Sequence, residues 1–210
     1  MRTASAAKSS SWSRTNKQRH DQVVGASRSG RRVTTLRAAL ALVDSAVLAP
    51  IYRDADGRLR LVFIRRGPFG VHGGQIAFPG GRREPEDPDL LTTALREAEE
   101  EIGLDRETVE VLATLPVIET IATGFRVAPF LGRLKGPHMW RRQESEVDEI
   151  LEVPLEDLLQ PEAHAVEVWQ LPGWPEPREI PFYWIGSYKL WGATYKIVGS
   201  IRDYLATHDV

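Results

Sequence analysis

GGRREPEDPDLLTTALREAEEEIGL, residues 80–104, is the most informative segment of this 210-residue chain. The Asp-Pro-Asp run at 87–89 offers side-chain oxygens suited to a helix N-terminus, and Gly103 is suited to a helix C-terminus. Between them, apolar residues recur at the spacing of one helix face: Leu91, Leu95, Ala98 and Ile102. We therefore predict an amphipathic helix over residues 89–102.

The polar side of this helix carries a cluster of carboxylates. Glu97, Glu100 and Glu101 stand at helical spacing, so they project together and away from the apolar face. Like charges so placed destabilise a helix by roughly 0.2–0.5 kcal/mol per pair, a cost that a hard cation with a preference for oxygen would reverse. Mg²⁺ is the natural candidate, whereas for a bare Glu-x-x-Glu-Glu the alternative is a solvated acidic face.

Short β-branched and apolar runs surround this helix, separated by turns that contain Gly or Pro. They predict strands at 46–52, 59–64, 75–78, 109–121, 125–134, 147–153, 166–171 and 180–185. Further helices are predicted at 33–43, 154–159 and 191–205. We expect the first two strands to form a hairpin, and the strands on either side of Gly124 to pair or lie adjacent. The sum is an α/β or α+β domain with a mixed β-sheet between helices.

The composition excludes several classes of protein. The longest apolar run, residues 38–43, is far too short to cross a bilayer, and a net charge of −2 does not favour a nucleic-acid or membrane-surface binder. The chain contains no cysteine, which excludes disulfides, thiolate metal sites and cysteine nucleophiles and agrees with a cytoplasmic location.

The first 32 residues differ in character from the rest. They are rich in Ser, Lys and Arg, contain Asp21 as their one acid, and lack the apolar stretch of a secretory signal. We expect a disordered tail or vector-derived leader over residues 1–32, followed by one domain over residues 33–210. The alternative is a transit peptide, which shares this composition.

The segment at 80–104 resembles the signature of the Nudix family: Gly, five variable residues, Glu, seven variable residues, then Arg-Glu-apolar-x-Glu-Glu-x-Gly-apolar. Residues 96–104 fill the second half of that pattern completely. Counted from Gly81, Asp87 stands where the signature has Glu, and the gap to Arg96 is one residue longer. The acid that supports the site is therefore either Asp87 or Glu84.

The resemblance implies the Nudix fold and a hydrolase that cuts a pyrophosphate bond. By resemblance, Arg96 orients Glu97, while Glu97, Glu100 and Glu101 bind Mg²⁺ or Mn²⁺ together with the backbone carbonyl of Gly81. Chemistry agrees, because the negative charge of a pyrophosphate repels an incoming hydroxide until a cation neutralises it. A glycine at position 81 also lets the backbone come close enough to contribute its carbonyl oxygen to the cation.

Four segments outside the signature resemble the coenzyme A pyrophosphatase branch of this family. They are HGGQIAFPGG at 72–81, TGFRVAPFLG at 123–132, EVDEILEVPL at 146–155 and WGATY at 191–195. Two positions depart from that branch: Arg65 and Arg66 replace a Thr-Ser/Ala pair, and Gly70 stands where an Arg is expected. A guanidinium is well suited to bind phosphate, so the substrate depends on whether Arg65 or Arg66 reaches the same group.

Other candidate residues each have a structural alternative. Glu146, with Glu149, lies where Nudix enzymes place an additional metal ligand or general base, and is otherwise surface charge. His72, Gly80, Arg82 and Arg65 are candidate substrate-binding residues. His72 would otherwise pack the loop, and the arginines would be solvated.

Three functions stay open at this point. The first is hydrolysis of coenzyme A or an acyl-coenzyme A to adenosine 3′,5′-bisphosphate and the (acyl-)phosphopantetheine. The second is hydrolysis of ADP-ribose or another nucleoside diphosphate derivative. The third is a non-catalytic, nucleotide-sensing or nucleic-acid-associated protein, against which the intact glutamate set argues. The expected partner is a small-molecule nucleotide, and tryptophans suited to a core or a subunit interface leave a homodimer open.

Overall fold

The computed structural model describes residues 42–69, 72–120, 123–135, 138–171 and 174–210. The tail predicted at 1–32 lies outside these residues, and so does the helix predicted at 33–43 except for its last two positions. Val43 begins a strand there instead of ending a helix. No helix within the described ranges is long and apolar enough to cross a membrane.

The main sheet is mixed and has eight strands within the described residues. These are β1 (Val43–Arg53), β2 (Leu59–Arg66), β3 (Ile76–Ala77), β4 (Gly80–Arg82), β5 (Val109–Thr114), β6 (Ile118–Thr120), β7 (Phe125–Leu134) and β8 (Val147–Pro154). The pair β1–β7 is parallel, whereas the other pairs are antiparallel. The predicted hairpin of β1 and β2 and the predicted pairing beside Gly124 are confirmed.

One edge of β1 is shared by two partners, and this arrangement makes room for the glycine-rich segment. The end of β1, Ile51–Arg53, pairs with the start of β2, while its beginning, Ser45–Val47, pairs with β4. Strand β2 then diverges from β1 and pairs with β3 on the way to its own end. The short strands β3 and β4 therefore fill the opening between β1 and β2, beside the predicted catalytic helix.

Two layers of apolar side chains cover the two faces of the main sheet. On one face, helix α1 (Leu90–Ile102) packs its fully buried Ala94, Ala98 and Ile102 against the sheet. The other face is covered by helices α2 (Leu155–Leu158) and α3 (Gly192–Leu205) and by a second sheet of β9 (His164–Trp169), β10 (Arg178–Ile185) and β11 (Tyr188–Trp191). The predicted mixed sheet between helices is confirmed, and the second sheet adds to it.

Helix α1 has the ends that its sequence predicts. The Asp89 carboxylate accepts the Thr92 N–H at 2.7 Å, which satisfies one of the free donors of the first turn. At the other end Gly103 takes the left-handed conformation, φ 68°, and its N–H returns to the carbonyls of the last turn. Such an N-terminal cap contributes about 1 kcal/mol. Because the residues that cap α1 lie next to it in the sequence, local chemistry defines both of its ends.

Some strand predictions were wrong in detail. The predicted strand at 109–121 is divided into β5 and β6, because Pro116 between them has no N–H to donate to a neighbouring strand. Strand β4 is absent from the predicted strands, since a run of glycine and arginine has no apolar alternation. Strand β11 was not predicted at all, and short 3-10 turns occur at Arg106–Thr108 and Pro161–Ala163.

Candidate active site

Arg96 on α1 is the centre of a charged cluster. Its guanidinium donates two hydrogen bonds to the Asp87 carboxylate, from Nε and Nη2, each 3.1 Å long. It also lies 3.1 Å from Glu97 Oε1 and 3.0 Å from Glu100 Oε2, and donates to the Arg82 carbonyl at 3.1 Å. Planar, forked guanidinium binding of this kind gives Arg96 a single fixed orientation, with 15% of its side chain exposed.

Asp87 is the acid that anchors this arginine. Its side chain is 4% exposed and also accepts the Thr93 hydroxyl at 2.9 Å and the Glu84 N–H at 3.0 Å. The hydrogen bonds from Arg96 lower the pKa of Asp87 to about 2, against the effect of burial. Glu84 is exposed, and its backbone, not its carboxylate, takes part. Of the two acids that the sequence leaves open, the structure therefore places Asp87 against Arg96.

Glu101 is a buried carboxylate, with only 1% of the residue exposed. Its Oε2 accepts the backbone N–H of Gly80 at 2.8 Å, which ties α1 to β4. Burial, with smaller contributions from the charges of Glu97 and Glu146, raises the pKa of Glu101 to about 8, while the Gly80 N–H and Arg66 oppose the change. An acid held in this environment is costly to ionise unless positive charge compensates it.

Glu97 lies against the backbone of Gly81. A Cβ atom at position 81 would collide with the Glu97 carboxylate, so any larger residue there would displace the end of that side chain. Burial raises the pKa of Glu97, the neighbouring Arg96 lowers it, and Glu100 and Glu146 raise it. The carboxylates of α1 and Glu146 are therefore close enough to repel one another.

Glu146 reaches this cluster from the start of β8. Strand β8 has an irregularity opposite β2: Arg65 pairs with Glu149 and Arg66 with Val147, so Asp148 is the extra residue. Such a bulge changes which face the following side chains occupy, and it places the buried Val147 in the core beneath α1. The residue before it, Glu146, is exposed, and its carbonyl accepts the Gly67 N–H at 2.7 Å.

Comparison with known proteins identifies the family. A family model for the NUDIX domain matches residues 43–172. The chain is also 34% identical, over 160 residues, to an uncharacterized Nudix hydrolase, NudL, of Salmonella paratyphi B, covering 74% of this chain and 79% of that protein. The chain belongs to the Nudix family. It is a pyrophosphohydrolase that acts on nucleoside diphosphate derivatives.

Solved structures agree on the Nudix fold. The Nudix hydrolase RenU of M. smegmatis superimposes with a TM-score of 0.57 at 16% identity, covering 80% of this chain and 88% of that one. The NUDIX domain of Shewanella oneidensis NrtR, complexed with ADP ribose, gives 0.53 at 17% identity, with 79% and 89% covered. At such identities the likeness concerns the fold alone.

The predicted substrate residues of this Nudix domain are distributed unevenly. Arg65 lies on the far side of the sheet from α1: its Nη1 is 3.3 Å from Asp148 Oδ2, and its guanidinium stacks 5.3 Å from the Tyr188 ring. The Tyr188 hydroxyl in turn donates to Glu149 at 2.9 Å. Arg65 and Glu149 thus join β2 and β8 to the second sheet, and the structure does not bring them to the α1 glutamates.

The other three candidates lie closer to the glycine-rich segment. Gly80 donates its N–H to Glu101, so that donor is already engaged. Arg82 extends over the Phe125 ring at 5.1 Å, and only its carbonyl contacts Arg96. His72 is partly buried, and its Nδ1 lies 3.2 Å from the Gln75 side-chain oxygen. Substrate roles for these residues remain predictions.

Nudix hydrolases generally use divalent metal ions, and the donor set here fits one chemically. Within the described ranges, no three acidic or histidine side chains are arranged as a ready metal site. Glu97 and Glu100 instead face Arg96, and Glu101 faces the Gly80 N–H. These carboxylates repel one another, and a hard cation bound among them would offset that repulsion. Gly81 also leaves room for its backbone to lie close to Glu97.

Glu101 predicts a measurable pH dependence of stability in metal-free buffer. A carboxyl whose pKa is about 8 in the folded chain and 4.5 ordinarily holds its proton only in the folded state between those values. The free energy of unfolding is therefore expected to fall as pH rises through this range. Urea unfolding at several pH values measures the slope, which Glu101→Gln should flatten and Glu99→Gln should leave unchanged. An equal slope in Glu101→Gln would contradict the assignment.

Proposed function

We propose that this Nudix hydrolase acts on coenzyme A or an acyl-coenzyme A, giving adenosine 3′,5′-bisphosphate and the (acyl-)phosphopantetheine. The observation that carries the proposal is the position of two segments that resemble the coenzyme A branch. Residues 72–81 supply the Gly80 and Gly81 backbone beside the α1 glutamates, and residues 146–155 begin with Glu146. The resemblance thus extends to residues that surround the carboxylate cluster as well as to the cluster itself.

In the proposed site, Arg96 and Asp87 orient the glutamates of α1. Glu97, Glu100 and Glu101, with the Gly81 carbonyl, would hold Mg²⁺ or Mn²⁺, which supplies positive charge to the phosphates when bound. Arg96 already contacts Glu97 and Glu100 and is itself fixed by two bonds to Asp87. This support is needed because catalytic side chains act efficiently only when they are held in position.

Glu146 is the proposed general base. It lies near enough to raise the pKa values of both Glu97 and Glu101, and it is exposed, so water can reach it. In the reaction a water oxygen bonds to one phosphorus, the bridging P–O bond breaks, and the other phosphate leaves with the bridging oxygen. Glu146 would accept the proton that the attacking water loses.

A second candidate substrate is ADP-ribose or another nucleoside diphosphate derivative. The observation that favours it is Gly70, which stands where the coenzyme A branch is expected to have an Arg and which lies outside the described residues. A charge-assisted contact to phosphate is worth roughly 1.5–3 kcal/mol, so its loss raises KM on the order of tenfold to a hundredfold. A non-catalytic sensing role is opposed by the complete set of Arg96 and glutamates.

A substrate panel tests the proposal. We expect coenzyme A to be hydrolysed measurably in Mg²⁺ and Gly70→Arg to increase kcat/KM for coenzyme A. The assay compares coenzyme A, its dephosphorylated form and ADP-ribose with both proteins, using chromatography of the products. If the parent protein cuts ADP-ribose far faster than either coenzyme, and Gly70→Arg does not alter that order, the second candidate replaces the first.

A further inference from the structure

Arg66 faces the catalytic helix, whereas its neighbour Arg65 does not. Side chains alternate along a strand, and in β2 the alternation can be followed residue by residue. Val62 and Ile64 belong to the core beneath α1, while Leu61 and Phe63 belong to the core on the opposite face. Arg65 continues the second series toward Tyr188, so Arg66 continues the first series toward α1.

The surroundings of Arg66 are acidic, yet its guanidinium pairs with no side chain in the described part of the chain. Its strand partner is Val147, the residue directly after Glu146, and its positive charge lowers the pKa of Glu101. No hydrogen bond or ion pair of its side chain occurs with any described residue, although its backbone pairs with Gln75 and Gly74. The side chain is partly exposed, and none of its nitrogen atoms is among the buried, unsatisfied atoms of the described chain.

The accessible guanidinium of Arg66 would offset the repulsion between the carboxylates and a pyrophosphate. The negative charges of Glu97 and Glu146 repel a pyrophosphate, and a metal ion neutralises that charge only at its own position. A guanidinium presents several donors in one plane and binds two phosphate oxygens at once. Arg66 lies beside the carboxylates and forms an ion pair with none of the residues that the structure describes, which suits it for that contact.

We propose that Arg66 is the residue that binds the pyrophosphate group of the substrate, in place of the guanidinium that the chain lacks at position 70. The inference rests on the proposed hydrolysis of a nucleoside diphosphate derivative, and it holds for coenzyme A and for ADP-ribose alike, because both contain this group. It also separates the roles of the two adjacent arginines: Arg66 contacts substrate, while Arg65 joins the two sheets through Asp148 and Tyr188.

The alternative is that Arg66 only balances the charge of Glu101. Removing a charge partner of that kind would alter kcat and the pH dependence without changing affinity for a diphosphate. Removing a substrate contact would instead raise KM and weaken the binding of diphosphate ligands, also in the absence of metal. KM, kcat and the dissociation constant of a non-hydrolysable diphosphate therefore distinguish the two roles.

The experiment compares Arg66→Ala and Arg66→Lys with Arg65→Ala as the matched control on the same strand. Hydrolysis of coenzyme A and ADP-ribose is measured in Mg²⁺, and calorimetry measures binding of α,β-methylene-ADP to the full-length, metal-free protein. We expect Arg66→Ala to raise KM and the dissociation constant on the order of tenfold to a hundredfold with little change in kcat. Arg66→Lys should recover part of the loss, and Arg65→Ala should change thermal stability but not KM.

The outcomes separate this inference from the proposed function. If the parent protein hydrolyses neither compound, the proposed function fails, while the calorimetric comparison still decides whether Arg66 binds a diphosphate. If hydrolysis is efficient but Arg66→Ala leaves both KM and the dissociation constant unchanged, the assignment of Arg66 is wrong and the proposed function stands. Equal losses of diphosphate affinity in the Arg65 and Arg66 variants would also overturn it.

Discussion

Glu97→Gln and Glu101→Gln are each expected to lower kcat by at least about a hundredfold, because even residues that only support metal ligands cost 10–100-fold when replaced. Glutamine keeps the length and shape of the side chain but removes the negative charge that attracts a cation. The measurement is kcat on the best substrate of the panel at saturating Mg²⁺. Rates near those of the parent protein would contradict the site assignment.

Stability distinguishes loss of chemistry from loss of fold in these variants. Glu101 is buried with a raised pKa, so Glu101→Gln removes a group that is costly to ionise and retains an acceptor for the Gly80 N–H. Its melting temperature near neutral pH is therefore expected to equal or exceed that of the parent without metal. Glu99→Gln is the matched control, because Glu99 is on the same helix but exposed, where it pairs with Arg106. It should retain full activity.

Asp87→Ala is expected to destabilise the fold by roughly 3 kcal/mol, because it leaves the largely buried guanidinium of Arg96 without its principal partner. For a domain of this size that corresponds to a fall in melting temperature of about 6–12 °C. Turnover should also fall at least about tenfold, because Arg96 would no longer be held in position beside Glu97. Differential scanning calorimetry and kcat on the same preparation measure both effects.

Glu84→Ala is the control for the role of Asp87. The carboxylate of Glu84 is exposed and contacts no partner among residues 42–69, 72–120, 123–135, 138–171 and 174–210, so its loss should alter stability by no more than about 0.5 kcal/mol. Asp87→Asn keeps one acceptor oxygen and is expected to give intermediate results. If Glu84→Ala costs as much as Asp87→Ala in stability and turnover, the supporting acid has been assigned to the wrong residue.

Local chemistry was sufficient to predict helix α1 and its carboxylates. The capping oxygen of Asp89, the apolar spacing toward the sheet and the left-handed Gly103 all act within a few residues, so the sequence contains the signals for both ends. The spacing of Glu97, Glu100 and Glu101 follows from the helix itself. The mixed sheet between helices could also be predicted, because alternating strands and helices permit few architectures.

The remaining features depended on contacts between residues far apart in the chain. Strand β4 exists because β1 and β2 diverge and leave an edge of β1 open, which no local pattern reveals. The choice of Asp87 over Glu84 depended on the folded path of the loop around Arg96. Local spacing cannot predict such pairings, because the free energy that selects them comes from packing and hydrogen bonding across the fold.

The two adjacent arginines show this division most clearly. Their order in the sequence predicts only that they point to opposite faces of a strand, and Arg65 is one of the four candidate substrate residues that the sequence suggests. The pairing of β2 with β8 decides which face of β2 lies beneath α1. The same pairing, with its bulge at Asp148, sets the position of Glu146. The sequence by itself determined the helix and its charged residues, whereas the register of distant strands determined which arginine stands beside them, because register alone sets the face of every side chain.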